Sequence, residues 1–446
     1  MNFLEEKPQN IPDALEAGKL KIAVYGIGKM GLPLALAFAD KNAVVIGVDV
    51  NEELVQKINS KHDVLPFEPG VKGLLEKHVG KNFAATADFK KAKADVHIIL
   101  VPTLLNEVNG KIIPDLSLVV NAAGKIGKLL EKGNAVVVEC TMPPGSTESL
   151  IPVLENESGL KCGKDFGLAH APERTMSGTA IRDITERYPK ILGASDGKTL
   201  AVLKELYGQI NSKGVIAISN IRTAEAVKVF EGVYRDVNIA LANELWEYSD
   251  SHGIDAMEAF SAANSQPYCH IHSPGCGVGG HCIPYYPHFI MGEKTFLVKA
   301  ARKTNDSMPA KTVELAEDEL RKAGKGLSGA KILLLGLSFR AGVKEFRKTP
   351  SKPMIELLKK KGAFVRAFDP LCDAADSKEL DADEFKLDFE GADCVIIATN
   401  DPSFKKLDWK DALRKMRTRI VVDGRQVLDP DAIRKENAVY RGIGRL

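Results

Sequence analysis

From Lys21 the chain reads KIAVYGIGKMGLPLALAFADKNAVVIGVDV. An apolar run of strand length leads into Gly26, Gly28 and Gly31, then a stretch with apolar residues at helical spacing, then a second apolar run ending at Asp49. Few folds use three glycines in that setting. The first permits a tight turn, the second lets backbone approach a pyrophosphate, and the third lets helix and strand pack closely. Asp49 stands eighteen positions after the last glycine, where a carboxylate can bond both ribose hydroxyls and repel a 2′-phosphate. The pattern predicts a strand–helix–strand unit that binds a dinucleotide and favours NAD over NADP.

Strand and helix patterns keep alternating downstream, which predicts a parallel sheet with its ligand off the carboxyl ends of the strands. Val96–Val101 runs into Pro102-Thr103, and Ala135–Glu139 runs into CTMPPGST. Thr103 and Thr141 thus sit just past strand ends, where a threonine is either a helix cap or a ligand contact. Gly167-Leu168-Ala169 leads into HAPERTMSG, where Glu173 and Arg174 are neighbours; in isolation such a pair is a solvated ion pair of little energetic weight. From Arg222 to about Ser251 the apolar residues fall at helical spacing with a single glycine, Gly232. A helix of that length, about 45 Å at roughly 1.5 Å per residue, connects domains and offers a face to a partner subunit. Lys228 lies on it among Val227, Val229 and Phe230, either partly desolvated or snorkelling to the surface.

A polar, charged segment beginning KTNDSMPAK precedes a fresh series of buried-strand patterns: Lys331–Gly336, Phe364–Asp369, Cys394–Thr399 and Ile420–Asp423. This second α/β domain lacks the glycine triplet. Its GLSFRAGVKEFR stretch offers Arg340, Lys344 and Arg347, which suit an anionic ligand such as a diphosphate or else form a solvated basic loop. The expected architecture is α/β, with two doubly wound Rossmann-like domains joined by a central helical domain containing one long helix. The expected boundaries are residues 1–215, 216–325 and 326–446.

Between the long helix and the second α/β domain lies SPGCGVGGHCIPYYP, Ser273 to Pro287. Its density of glycine and proline rules out a regular element. Such a loop can present Cys282 to a ligand, or it can be a tight turn around a buried thiol. Cys269, His270, His272, Cys276, His281 and Cys282 also resemble a zinc cluster, but no pair has the CxxC-like spacing of structural zinc sites, so no metal is expected. A net charge of +2 with 27% charged residues carries no nucleic-acid or membrane signal and leaves a small molecule as partner. Seven scattered cysteines and no apolar amino-terminal segment predict a cytoplasmic protein with reduced thiols.

The segments GIGKMGLPLA, ECTMPPGST, APER, AEAVKVFEGVYRDVNIALANEL, SPGCGVGGHCIP, GLSFRAGVKEFRKTPS, VVDGR and YRGIG, in this order between about Lys19 and Arg445, resemble the UDP-glucose/GDP-mannose dehydrogenase family. The resemblance implies NAD-binding, central and UDP-binding domains, a homodimer formed through the central helix, and a four-electron oxidation of a UDP-sugar at C6. UDP-N-acetyl-D-mannosamine is the foremost substrate candidate, with UDP-N-acetyl-D-glucosamine or another UDP-sugar as the alternative. Cys282 matches the family nucleophile, which forms a thiohemiacetal and then a thioester. Lys228 matches the oxyanion-stabilising lysine, and Thr141 and Glu173 match residues that position or activate water. The resemblance assigns Gly26, Gly28, Met30, Gly31, Asp49, Thr103, Thr141 and Arg347 to the cofactor. It assigns Glu173, Arg174, Lys228, Arg235, Gly279, Phe339, Arg340 and Arg425 to the substrate. Four positions depart from the family pattern. Gly232 replaces an asparagine that would be a second oxyanion donor, with Asn238 or a water as possible substitutes. Tyr286 replaces an aspartate, Ser177 a second glutamate, and Tyr268 an arginine directed at the neighbouring subunit.

Overall fold

The computed structural model describes residues 2–108, 111–280 and 282–446. The chain forms two compact units. The first runs to Glu231 and takes in His288–Ile290; the second comprises Gly232–Pro287 and Met291–Leu446.

The first unit contains β1 (Lys21–Tyr25), β2 (Val44–Val48), β3 (Phe83–Thr86), β4 (Val96–Ile99), β5 (Leu104–Val108), β6 (Lys111–Asp115), β7 (Ala135–Val138), β8 (Gly167–His170), β9 (Lys190–Ala194) and β10 (Val215–Ile218). Eight of them form one sheet in the order β10-β9-β8-β7-β4-β1-β2-β3, while β5 and β6 form a separate antiparallel hairpin. β1, β4 and β7 are buried on both faces, which is why they read as continuous apolar runs without alternation. Gly26 has φ of 91°, and a Cβ on Gly31 would lie 1.8 Å from the Gly26 carbonyl oxygen. The turn and the close helix–strand contact therefore both require glycine. The sheet departs from the all-parallel expectation at one pairing: β8 and β9 are antiparallel, with Ala169 opposite Ala194. The chain between them holds only the HAPER loop and short helical turns, not the long crossover helix that a parallel return needs. Thr103 also departs from the cap reading, since it leads into the β5–β6 hairpin and not a helix.

The second unit contains β11 (Lys331–Leu335), β12 (Phe364–Phe368), β13 (Glu384–Phe385), β14 (Cys394–Ile397), β15 (Ile420–Asp423) and β16 (Val439–Gly442). They pair in the order β13-β12-β11-β14-β15-β16, parallel throughout. The same local device closes both sheets. After β2, the Asp49 carboxylate accepts the Ile27 N–H at 3.1 Å; after β12, the Asp369 carboxylate accepts the Leu337 and Ser338 N–H groups at 2.8 and 3.0 Å.

The long helix spans Ile221–Ser251, 31 residues. The polar stretch after the cysteine loop is a second long helix, Phe296–Lys322, which carries Pro309 in its interior. Its charged composition and internal proline hide it from the sequence, because proline ordinarily ends or kinks a helix. Inside the second unit the two helices are joined by buried polar groups. Arg302 donates to Asp236, and Asn305 donates to the Asp236 carboxylate at 2.8 Å. Asn243 then donates to Asn305 at 2.9 Å. Burial pushes the Asp236 carboxyl up to about 6 even though the Arg302 guanidinium opposes the shift.

Candidate active site

The first unit assembles the nucleotide fingerprint. Gly28 is exposed with nothing within 4 Å of where its Cβ would be, so the backbone is open to close approach. Asp49 accepts from the Ile27 and Asn51 N–H groups, which fixes its carboxylate just past β2. Met30 caps the glycine turn, and its sulfur accepts the Thr175 hydroxyl at 2.9 Å. Thr103, with a buried hydroxyl, follows β4, and half-buried Thr141 follows β7. These residues fit a dinucleotide: an uncrowded glycine approach, a fixed carboxylate at the ribose position, and polar groups past the carboxyl ends of adjacent parallel strands.

Thr175 ties this fingerprint to the APER segment. Glu173 is half-buried, and its carboxylate accepts the Thr175 N–H. The surface ion pair with Arg174 does not form. Arg174 instead donates to Glu231 at 2.8 Å and to the Pro189 carbonyl at 2.6 Å, and it lies over the Tyr188 ring. Glu173 and Arg174 line a small cleft together with Glu139, Tyr188, Lys190 and Tyr207. Glu139 is fully buried, paired with Lys190 and bonded by the Tyr207 hydroxyl, each at 2.5 Å. Burial raises the Glu139 carboxyl above the ordinary range despite the lysine. Glu139, Lys190 and Tyr207 were not singled out from the sequence. Only the acid ending an apolar strand hinted at them, and their partners lie far along the chain. Lys228 is buried, which favours the desolvated reading over snorkelling. Nearby on the same helix, Glu225 accepts the Gly145 and Thr147 N–H groups at 2.5 and 2.7 Å and so holds the loop after β7.

In the second unit Ser273–Gly280 and Cys282–Tyr285 form no helix or strand, as their composition predicts, a 3-10 turn begins at Tyr286, and several groups tether the loop. Asn243 accepts the Gly275 N–H at 2.8 Å, and the Gly424 carbonyl accepts the Cys276 N–H at 3.1 Å. The Arg347 carbonyl accepts the Gly280 N–H at 2.9 Å. A Cβ on Gly279 would come within 2.4 Å of Phe339. Arg425 donates to the Ala398 carbonyl at 3.0 Å and to the Gly277 carbonyl at 2.8 Å, so its guanidinium braces the loop. Arg340 is half-buried beside the Phe339 ring, while the Arg347 and Arg235 side chains are exposed. Lys344 is engaged by Asp376 at 2.7 Å.

Cys282 differs from every other cysteine of the chain in being exposed. Burial pushes Cys140 and Cys372 up to about 12 and also raises Cys162, Cys276 and Cys394. Those five thiols are poor sources of thiolate. Cys276 donates to the Ala398 carbonyl inside the fold, and among the described residues no group of three or more histidines, cysteines or acids could hold a metal; His281 lies outside the described residues. Two of the four departures meet in space: the Tyr286 ring lies directly over Gly232. Asn238 does not stand in for an asparagine at 232. Its amide donates to the Tyr234 carbonyl one turn back at 2.7 Å, within unbroken helix.

A dinucleotide fingerprint, a second doubly wound sheet and an exposed cysteine in a braced glycine loop define a dehydrogenase with a second nucleotide-like domain. Family models describe the same parts. The UDP-glucose/GDP-mannose dehydrogenase family NAD binding domain matches residues 20–211, its central domain 222–307 and its UDP binding domain 333–430. The chain belongs to this family and is an NAD-dependent UDP-sugar dehydrogenase. It is 35% identical over 439 residues to a UDP-N-acetyl-D-mannosamine dehydrogenase of Pyrococcus horikoshii, covering 96% of this chain and 99% of that protein. The solved structure of a Pyrococcus horikoshii enzyme of that activity superposes with a TM-score of 0.88 at 34% identity, over 96% and 99% of the two chains. An NDP-N-acetyl-D-galactosaminuronic acid dehydrogenase from Methanosarcina mazei superposes with a TM-score of 0.83 at 30% identity, over 99% and 98%. No helix among the described residues is long and apolar enough to cross a membrane.

Proposed function

We propose that this protein oxidises UDP-N-acetyl-D-mannosamine at C6 to the uronic acid, using two NAD per sugar and a covalent intermediate on Cys282. The observation that carries the covalent step is the exposure of Cys282 in a chain whose other thiols are buried or partly buried. An aldehyde gives up hydride poorly. Addition of the Cys282 thiolate to its carbonyl carbon yields a thiohemiacetal, oxidation of which leaves a thioester; water cleaves that to the acid and returns the thiol. NAD, when bound, supplies the hydride acceptor for each oxidation. Gly26, Gly28, Met30, Gly31, Asp49, Thr103 and Arg347 hold the cofactor, and Gly279, Phe339, Arg340, Arg425, Arg174 and Arg235 bind the sugar nucleotide. Buried Lys228 stabilises the oxyanion of the tetrahedral species, a task suited to a cation kept from water. Glu173 and Thr141 orient the hydrolytic water.

The division into cofactor, central and UDP-binding domains at residues 1–215, 216–325 and 326–446 belongs to the same reading, as does a homodimer through the long helix. The sugar is supported by the names of the relatives. Purified protein should be assayed for NAD reduction against UDP-N-acetylmannosamine, UDP-N-acetylglucosamine, UDP-N-acetylgalactosamine and UDP-glucose. Two NADH per sugar with the first substrate, at the highest kcat/KM of the panel, is expected. One NADH per sugar would overturn the four-electron reaction, and preference for another sugar would reassign the substrate.

A further inference from the structure

We infer that Tyr286 is a positioning residue that sets the Cys282 thiol by seating its ring against a notch in the long helix at Gly232. The inference rests on the nucleophile reading of Cys282. A Cβ built on Gly232 would lie 2.2 Å from Tyr286 Cδ2, 3.0 Å from Cγ and 3.1 Å from Cβ. Any residue other than glycine therefore collides with the ring and with the root of the side chain, which cannot swing clear without moving the loop backbone.

Glycine inside a helix is a poor choice on local grounds, because it is more flexible in the unfolded chain and adds no side-chain packing. Here it sits within a helix of 31 residues, buried. The ring occupies the space this glycine leaves, and Tyr286 is itself buried at 7% exposure. Helix notch and aromatic ring fit each other.

The seat reaches the thiol through one short turn. The Cys282 carbonyl accepts the Tyr286 N–H at 3.0 Å and the Tyr285 N–H at 3.1 Å. On the other flank the loop is held by the Gly280 N–H on the Arg347 carbonyl and by Gly279 against Phe339. Cys282 is thus an exposed residue whose carbonyl is bonded into the turn that seats Tyr286 on the long helix, and Gly280, two positions earlier, is bonded to the basic loop after β11. A nucleophile needs solvent access for the thiol together with a defined backbone position, and the Tyr286 turn supplies a tether for the second. Misplacement by about 1 Å can cost on the order of a hundredfold in rate. Tyr286 contributes position and does not itself take part in bond making.

The test is a pair of substitutions and their combination in the full-length protein. Gly232→Ala should lower kcat at least about tenfold while leaving KM within about twofold, and it should change the rate at which iodoacetamide alkylates Cys282 in the absence of substrate. Adding Tyr286→Ala to Gly232→Ala removes the ring contacts at 2.2 and 3.0 Å and leaves only the one to Cβ at 3.1 Å, so the double variant should melt higher than Gly232→Ala alone. In the Tyr286→Ala background, alanine at 232 should cost less Tm than it does in the parent. Tyr286→Phe keeps the ring and should retain parental alkylation and KM. A Gly232→Ala protein with parental kcat and alkylation rate overturns the inference, and so does a destabilisation that Tyr286→Ala does not relieve. Should Gly232→Ala fail to fold, Tyr286→Leu carries the same kinetic and alkylation expectation, and parental values there overturn it. Failure of the nucleophile reading is separately visible as turnover by Cys282→Ser, which leaves the stability cycle and alkylation comparison intact as tests of the seat.

Discussion

At the scale of single residues, exposure separates Cys282 from the other cysteines, and its chemistry can be tested by the smallest change available. Cys282→Ser replaces sulfur by oxygen and alters little else, but the alcohol is far less acidic than the thiol and adds poorly to an aldehyde. Binding of NAD and of UDP-sugar, measured by calorimetry, should stay within about threefold of the parent, whereas acid production should fall by on the order of a thousandfold or more. Normal release of two NADH per sugar would exclude the covalent route. The residues around it were unevenly legible. Gly26, Gly28, Gly31 and Asp49 stand out because their spacing is imposed by one local turn. Gly232 and Tyr286 each look like an isolated departure, since nothing in a linear chain reveals that a ring on a distant loop lies over that glycine. Arg174 reads as the ion-pair partner of Glu173 and Lys344 as an available cation, and only three-dimensional neighbours reveal Glu231 and Asp376 beside them.

At the scale of elements, the buried strands were legible from uninterrupted apolar runs, whereas the Phe296–Lys322 helix was not, because its polar face dominates the composition and Pro309 interrupts the pattern. The antiparallel entry of β9 was also hidden, since strand direction is set by the connection and not by the strand. What joins elements of the second unit is visible only in the fold. Asp393, fully buried just before β14, receives Lys325 at 2.7 Å, Arg417 Nε at 2.7 Å, the Thr418 hydroxyl at 3.2 Å and the Lys331 N–H at 2.9 Å. Burial alone would raise this carboxyl, but the bonds from Arg417, Lys325 and Lys331 outweigh it and hold it well below the usual range. A carboxyl lowered on folding contributes stability above its unfolded value near pH 4 and loses it as the pH falls further. Asp393→Asn should therefore cost about 1–3 kcal/mol near pH 7, because a buried amide cannot accept all the bonds the carboxylate accepts, with a smaller cost on acidification below about pH 4. Urea unfolding of both proteins at several pH values measures this. A cost that does not change with pH would show that the carboxylate's charge is not what the cluster uses.

At the scale of the whole molecule, the long helix carries a feature that neither sheet explains. Tyr234, Leu241 and Tyr248 are spaced by seven residues and are 53%, 46% and 58% exposed. Between them Asp236, Ala240, Asn243 and Trp246 turn inward and are buried. A heptad repeat keeps residues on one side of a helix, so these three make an apolar stripe about 21 Å long at roughly 1.5 Å per residue. Phe296 and Leu297, at the start of the second long helix, add exposed apolar surface of their own. Monomers rarely leave such stripes to water, and a second copy of the same helix offers a self-complementary cover. If the homodimer forms through this face, charge placed on the stripe should break it without disturbing either core, because both side chains already face solvent. Leu241→Glu/Tyr248→Glu should shift sedimentation from dimer to monomer at micromolar concentration while the far-ultraviolet circular dichroism is unchanged. A variant that still sediments as a dimer would move the interface elsewhere, and a monomeric parent would leave the stripe without this partner.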